Sequence, residues 1–320
     1  MLDIGIIGVS DGNGHPFSFS AIVNGYDPEG LRRSGWDVIY DYVRKRHPSE
    51  LGFEDVRVSH VWTQDSEQTR RLQAACKIPH AVDELSDLKG AVDAVIVARD
   101  DHQRHAPMAL PFLEAGLPVF VDKPLSLDPD ALRHFRPYLE EAQLMSCSGL
   151  RFARELDEVR ANIESYGTLR CIRGTVVRGW AKYGIHLLEA ISHVVPSTPV
   201  AVAPVPAQHD SLAITMGDGS LFQLDALGDV PLTFQVDIWG SEKRTTHEIT
   251  DNFSAFRRTL WHFVEMVRTG TPPIGPEETL RMMHTLRAGQ RALASGERVS
   301  IRAVTEDSET DRERPVVHAG

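Results

Sequence analysis

The chain has 320 residues, is 42% hydrophobic and 25% charged, and carries a formal net charge of −11. One core seldom serves more than about 250–300 residues, so two domains are expected, and the composition excludes disordered, collagen-like and disulfide-scaffold classes. Forty-five acids against 34 Lys plus Arg leave no broad basic face for a phosphate backbone, so nucleic acid is not an expected partner.

Residues 4–9 form a short apolar run with no basic segment before it, which reads as a first buried strand and not as a signal peptide. No window approaches 18 uninterrupted apolar residues, so no membrane span is expected. Cys76, Cys147 and Cys171 are scattered without C-x-x-C spacing, which suits structural thiols in a reducing compartment; the expected location is cytoplasmic. Further apolar runs follow at 56–63, 91–98, 117–121 and 144–149, with helical patterns between them at 66–77, 107–115 and 129–142. Strand and helix alternating in this way imply βαβ units, and so an α/β domain with a doubly wound parallel sheet over residues 1–150. Residues 24–46 carry Tyr26, Trp36, Tyr40 and Tyr42 in an unusually long connection. A packed extra helix is the simplest reading, and a substrate lid or a subunit contact is the alternative.

After residue 150 the texture changes. Helical segments are expected at 152–166 and 183–195, and short alternating runs between 200 and 249 are separated by turns such as Gly217-Asp218-Gly219. Helices at 252–269 and 276–295 close the fold. Residues 151–303 are thus expected to form a second α/β domain with an open, mostly antiparallel sheet, and 304–320 a loose tail. No internal repeat is present.

Gly8-Val9-Ser10-Asp11-Gly12-Asn13-Gly14-His15-Pro16 follows the first strand. Its glycines stand four and two apart, so the strict G-x-G-x-x-G spacing fails, but its position between a strand and a helix suits a phosphate-binding turn. At the end of the second strand, where such sites offer an acid to a ribose, Thr63 stands in the likeliest position and Asp65 two residues later. Val119-Phe120-Val121-Asp122-Lys123-Pro124 puts a lysine at the C-terminal end of a buried strand.

The run from Val92 to Leu125, with V-D-A-V, a loop holding histidines, E-A-G-L-P-V and D-K-P, resembles the Gfo/Idh/MocA oxidoreductases. Arg151-Phe152, the Gly167-Thr168-Leu169 turn, the 184–189 segment and the helix from Phe263 to Gly270 extend the likeness over most of residues 1–300. The resemblance implies a Rossmann domain binding NAD or NADP through Gly8, Ser10, Gly12, Asn13, Gly14, His15, Thr63, Arg99, His102, Asp122 and Lys123. It further implies that Lys123 is the active-site lysine, that Lys123-Pro124 is a candidate cis peptide, and that the substrate is a sugar, sugar derivative or cyclitol. Homodimers or homotetramers joined through an exposed sheet face are also implied. Asp122 stands where the family usually has Glu. Two rival readings stay open: a glycosidase-like enzyme that retains its NAD, and a catalytically inactive nucleotide-binding regulator.

On a helix of about 100° per residue, Lys182, His186, Glu189 and His193 share one stripe of residues 183–195. The segment resembles the family's G-x-H-x-x-D pattern, which makes His186 the candidate general base and Glu189 an orienting or structural acid. Lys182 departs from the family, whose inositol-dehydrogenase-like members carry Asp there. Either Lys182, with Arg151 or Arg178, binds an anionic substrate group, or the usual dyad is broken; the first is the expectation adopted. The substrate-contacting set is then Lys123, Arg151, Lys182, His186 and Glu189. Asp100-Asp101-His102-Gln103-Arg104-His105 has metal-ligand composition but no further placed ligands, so no metal is expected.

Overall fold

In the computed structural model, residues 1–310 are described. In chain order the elements are β1 (Leu2–Ile7), α1 (His15–Asn24), α2 (Pro28–Arg32), α3 (Asp37–Val43), β2 (Val56–Trp62), α4 (Ser66–Ala75), β3 (His80–Ala81), β4 (Ala94–Val97), α5 (His105–Leu113), β5 (Val119–Val121), α6 (Pro129–Glu140), β6 (Leu144–Ser146) and α7 (Asp157–Ala161). They continue with β7 (Leu169–Val176), α8 (Ile185–Ser192), β8 (Pro199–Pro204), β9 (Asp210–Met216), β10 (Leu221–Ala226), β11 (Phe234–Gly240), β12 (Arg244–Glu248), α9 (Asn252–Thr269), α10 (Pro276–Ser295), β13 (Val299–Ser300) and α11 (Ile301–Thr310). No helix among the described residues is long and apolar enough to cross a membrane.

The chain divides into two compact units. The first comprises residues 1–126, 135–154 and 251–279. Its sheet has the order β3-β2-β1-β4-β5-β6 with every pair parallel. Strands β4 and β5 are apolar and buried throughout because helices cover a parallel sheet on both faces. Chain order reverses between β1 and β4, which opens a crevice at the strands' C-terminal ends. Pro16 sits in the first turn of α1, where a missing N–H costs nothing. Asp65 caps α4 by accepting from the Glu67 and Gln68 amides at 2.8 and 3.4 Å.

Two features differ from the sequence expectation. The 24–46 connection holds two short helices, α2 and α3, whose Leu31, Ile39 and Val43 are buried while Tyr26, Trp36, Tyr40 and Tyr42 pack against the same core. Helix α9 also returns to the first unit: Phe253, Leu260, Phe263 and Val264 join Phe19, Ile22, Phe120 and Met145 in one apolar cluster. A boundary at residue 150 therefore describes the order of the chain but not the composition of its cores.

The second unit comprises residues 127–134, 155–250 and those from 280 onward. Its seven-stranded sheet has the order β12-β11-β7-β10-β9-β8-β13, antiparallel except for β7 beside β10. Alternation along the strands separates two faces. Ile172, Val176, Leu212, Ile214, Phe222, Leu224, Val236 and Ile238 are buried on one. The other carries Arg173, Thr175, Gln223 and Gln235, with Asp225 held by Ser211 (2.6 Å), His209 (3.1 Å) and Arg173 (3.3 Å). The tail expected from residue 304 begins instead as the helix α11, which runs to Thr310; residues 311–320 lie outside the described residues.

Candidate active site

The candidate cofactor residues gather at the C-terminal ends of β1, β2, β4 and β5. After β1 the backbone turns through Gly8 (φ +82°) and Gly12 (φ +70°), a left-handed region that residues with a Cβ avoid. Gly14 starts α1 flush against Trp36 and Ile39, whose rings and methyl groups occupy the space a Cβ would need. The loop between is held by two acids from neighbouring strand ends. Ser10 Oγ donates to Asp100 Oδ1 at 2.7 Å, while Asn13 Nδ2 and His15 Nδ1 reach Asp122 Oδ2 at 3.1 and 2.6 Å. Asn13 Oδ1 also accepts from the His15 amide at 2.9 Å, closing the first turn of α1.

Asp122 and Lys123 follow β5 directly, and both are buried. The Lys123-Pro124 bond is cis, the form raised by the sequence resemblance. Asp122 Oδ1 accepts from the Lys123 amide at 2.9 Å, and Lys123 Nζ lies 3.6 Å from Asp100 Oδ2. Burial would raise the Asp122 pKa, but the charge and hydrogen bond of His15, with Lys123 beside it, outweigh that and hold the carboxyl at about 2. The carboxylate is therefore ionised at neutral pH, despite having almost no contact with water.

At the end of β2 the polar side chains engage one another beside an open cleft lined by Trp62, Thr63, Gln64, Ser66 and Arg70. Thr63 is buried, and its hydroxyl lies 2.7 Å from the Asp65 carbonyl and 2.8 Å from Thr69 Oγ1. The Asp65 carboxylate caps α4. Gln64, which sequence reasoning passed over, donates to the Val9 carbonyl at 2.5 Å and accepts from the Val9 amide at 3.2 Å, fastening β2 to the glycine loop. Arg99, buried after β4, pairs with Asp101 through two nitrogens and lies 3.3 Å from Gln64 Oε1; its stem runs over Gly8. His102, half-buried, opens the short helical turn His102–Arg104. His105 is fully buried, with its ring nitrogens 2.9 Å from the Leu125 carbonyl and 2.8 Å from the Arg99 carbonyl, so it ties the β5 loop to the β4 loop. Arg151, after β6, is buried and its guanidinium donates to Glu278 at 2.5 Å. Among the described residues no group of three or more His, Cys, Asp or Glu is placed to hold a metal ion.

The second candidate segment lies in the other unit and is built around Trp180. Residues Trp180–Gly184 form a π-helical turn leading into α8. The Trp180 indole is buried, donates to the Leu286 carbonyl at 2.9 Å, and lies against Gly184 and Gly289. Its amide donates to Asp210 at 2.9 Å. The wider π turn breaks the 100° periodicity on which one shared stripe depends. Lys182 is exposed, His186 half-buried and Glu189 buried, so they do not form a single solvated face. The His186 ring packs edge-on against Tyr183 (5.2 Å) and Phe234 (5.6 Å). Arg178, exposed and left-handed at φ +61°, pairs with Asp229 at 2.8 Å.

The first unit fits a dinucleotide on its own geometry. A 3-2-1-4-5-6 parallel sheet places a turn with two left-handed glycines, a helix N-terminus and an anchored lysine at one switch point. Residues 40–149 match the model described as oxidoreductase family, NAD-binding Rossmann fold, of Gfo/Idh/MocA. No curated protein matches significantly. Among solved structures, the fold is shared with the scyllo-inositol dehydrogenase of Lactobacillus casei with bound NAD(H) and scyllo-inositol, at 14% identity and TM-score 0.73, covering 94% of this chain and 99% of that one. It is shared likewise with myo-inositol 2-dehydrogenase from Lactobacillus plantarum (15% identity, TM-score 0.73, 93% and 99% covered). GenD2 from gentamicin A biosynthesis, in complex with NAD, gives 17% identity, TM-score 0.71 and coverage of 94% and 97%. Residues 40–149 are thus similar to the NAD-binding Rossmann domain of the Gfo/Idh/MocA oxidoreductase family.

Proposed function

We propose that this protein is an NAD(P)-dependent oxidoreductase acting on a secondary alcohol of a cyclitol, sugar or sugar derivative. The observation that carries the reading is Lys123, buried at the C-terminal end of β5 and fixed between Asp122 and Asp100 beside the glycine turn. Bound nicotinamide supplies the acceptor or donor of hydride, and the protein supplies geometry and charge. The Lys123 ammonium polarises the reacting oxygen, a role for which it need not lose its proton. A ring nitrogen of His186 takes the hydroxyl proton during oxidation and returns it during reduction. Tyr183 and Phe234 limit the rotation of that ring and keep water from its flanks.

The proposed substrate carries an acidic group that meets Lys182, an exposed lysine four residues before His186, together with Arg151 or Arg178. Assembly as a homodimer or homotetramer through the outer face of the second sheet belongs to the same reading; light scattering after size exclusion measures it. Fluorescence titration with NADH and NADPH tests the cofactor assignment. Turnover of NAD⁺ and NADP⁺ with inositols, neutral sugars and uronic or aldonic acids tests the chemistry. Binding of neither nucleotide would overturn the proposal.

A further inference from the structure

The glycine loop does more than turn the chain. His15 Nδ1 is 2.6 Å from Asp122 Oδ2, and Asn13 Nδ2 is 3.1 Å from the same oxygen. The other carboxylate oxygen accepts from the Lys123 backbone amide. A carboxylate only accepts, so the imidazole must carry its proton on Nδ1 to make this bond. The ring cannot easily leave that position, because it stacks on Phe19 at 5.1 Å and meets Phe256 edge-on at 4.9 Å. At the other end of the lysine, Nζ lies 3.6 Å from Asp100, which Ser10 of the same loop holds at 2.7 Å.

Residues 10–15 therefore brace Lys123 twice, its backbone through Asp122 and its ammonium through Asp100. We propose that His15 is a positioning residue, latching Asp122 so that the Lys123 side chain stays at the place where an oxygen of the substrate would be polarised. The latch adds to the functional reading above and rests on it for its catalytic consequence. It requires a donor at Nδ1. A residue that merely fills the space between Phe19 and Phe256 would not supply one.

Two substitutions separate donor from volume. His15→Asn keeps a nitrogen donor near Nδ1 but loses the ring, and His15→Phe keeps the ring but loses the donor. Each is read by labelling Lys123 with trinitrobenzenesulfonate, followed by peptide mass spectrometry, and by kcat and KM in the hydride-transfer assay. Misplacement by about 1 Å can cost on the order of a hundredfold in rate. We therefore expect His15→Phe to lower kcat by about tenfold or more with KM within about threefold, and to quicken Lys123 labelling several-fold. His15→Asn, which restores the donor, is expected to lose clearly less than His15→Phe in both. Should His15→Phe fail to fold, His15→Met takes its place as the donor-free filler. The proposal is overturned if the donor-free variant labels and turns over like the native chain, or if His15→Asn behaves like His15→Phe. If the native chain turns over no sugar or inositol, the functional reading fails, and the labelling comparison alone decides the latch.

Discussion

The indole of Trp180 packs against Gly289, with its Nε1 donating to the Leu286 carbonyl 2.9 Å away in the same helix, α10. A Cβ at Gly289 would collide with Cε2 and Cζ2 of that ring. Gly289→Ala is expected to destabilise the second unit by about 1–3 kcal/mol through overpacking. Trp180→Ala should cost about 3–5 kcal/mol through the cavity it leaves. Urea denaturation measures both. Because Trp180 begins the turn that leads to His186, Gly289→Ala should also lower activity at temperatures where the protein remains folded.

Replacing Lys123 tests the polarising role directly. Lys123→Met keeps most of the side-chain volume and removes the charge. Loss of an electrostatic stabiliser in a dry site costs about 10²–10³ in kcat. NADH affinity, followed by fluorescence, should change far less than kcat. A parallel loss of both would assign Lys123 to cofactor binding alone.

His186→Asn is expected to lower kcat by about 10²–10⁴, the usual contribution of a positioned proton carrier. The limb of the pH–rate profile that belongs to this histidine should vanish with it. A profile unchanged in shape would transfer the proton to another group.

Lys182→Ala discriminates between substrates. If Lys182 meets an acidic group, KM should rise at least about tenfold for uronic or aldonic acids, roughly one charge-assisted hydrogen bond. KM for neutral sugars or inositols should barely move. Equal changes for both classes would remove the anionic group from the proposal.

The buried Asp122 makes an acid-side prediction. Its pKa is lowered from 3.8 to about 2 in the folded protein. A depressed carboxyl stabilises the fold above its unfolded pKa, and that stability is lost as pH falls through the folded value. The contribution, about 2 kcal/mol, should thus disappear between about pH 4 and pH 2. Denaturation curves for Asp122→Asn should lack this component across that window.

The parallel sheet was legible because each of its strands is a short apolar run beside a helical pattern, as in Ala94–Val97 before His105–Leu113. The D-K-P turn was legible because an acid and a lysine stand out at the end of such a run. Other features depend on contacts distant in sequence. Nothing local marks Gln64 as the clamp on Val9, 55 residues earlier, or Asp100 as the acid beside Lys123. The stripe through Lys182, His186 and Glu189 assumed a regular α-helix, and the Trp180–Gly184 turn is wider. Glycines 184 and 289, set around one tryptophan, are the signal that could have warned of it. The apolar periodicity of α9 was plain, but periodicity names a face and not the core that receives it.

The first unit needs residues 251–279, yet residues 155–250 must leave the ribosome before them. At synthesis rates of about 5–20 residues per second, this interval lasts on the order of ten seconds. Throughout it, the site that awaits Phe253, Leu260 and Phe263 is exposed on a nascent chain whose sheet can already form. A chaperone that covers apolar surface would have its target there, and a stop codon placed just after residue 154 should yield an aggregating fragment and not a free-standing nucleotide-binding domain.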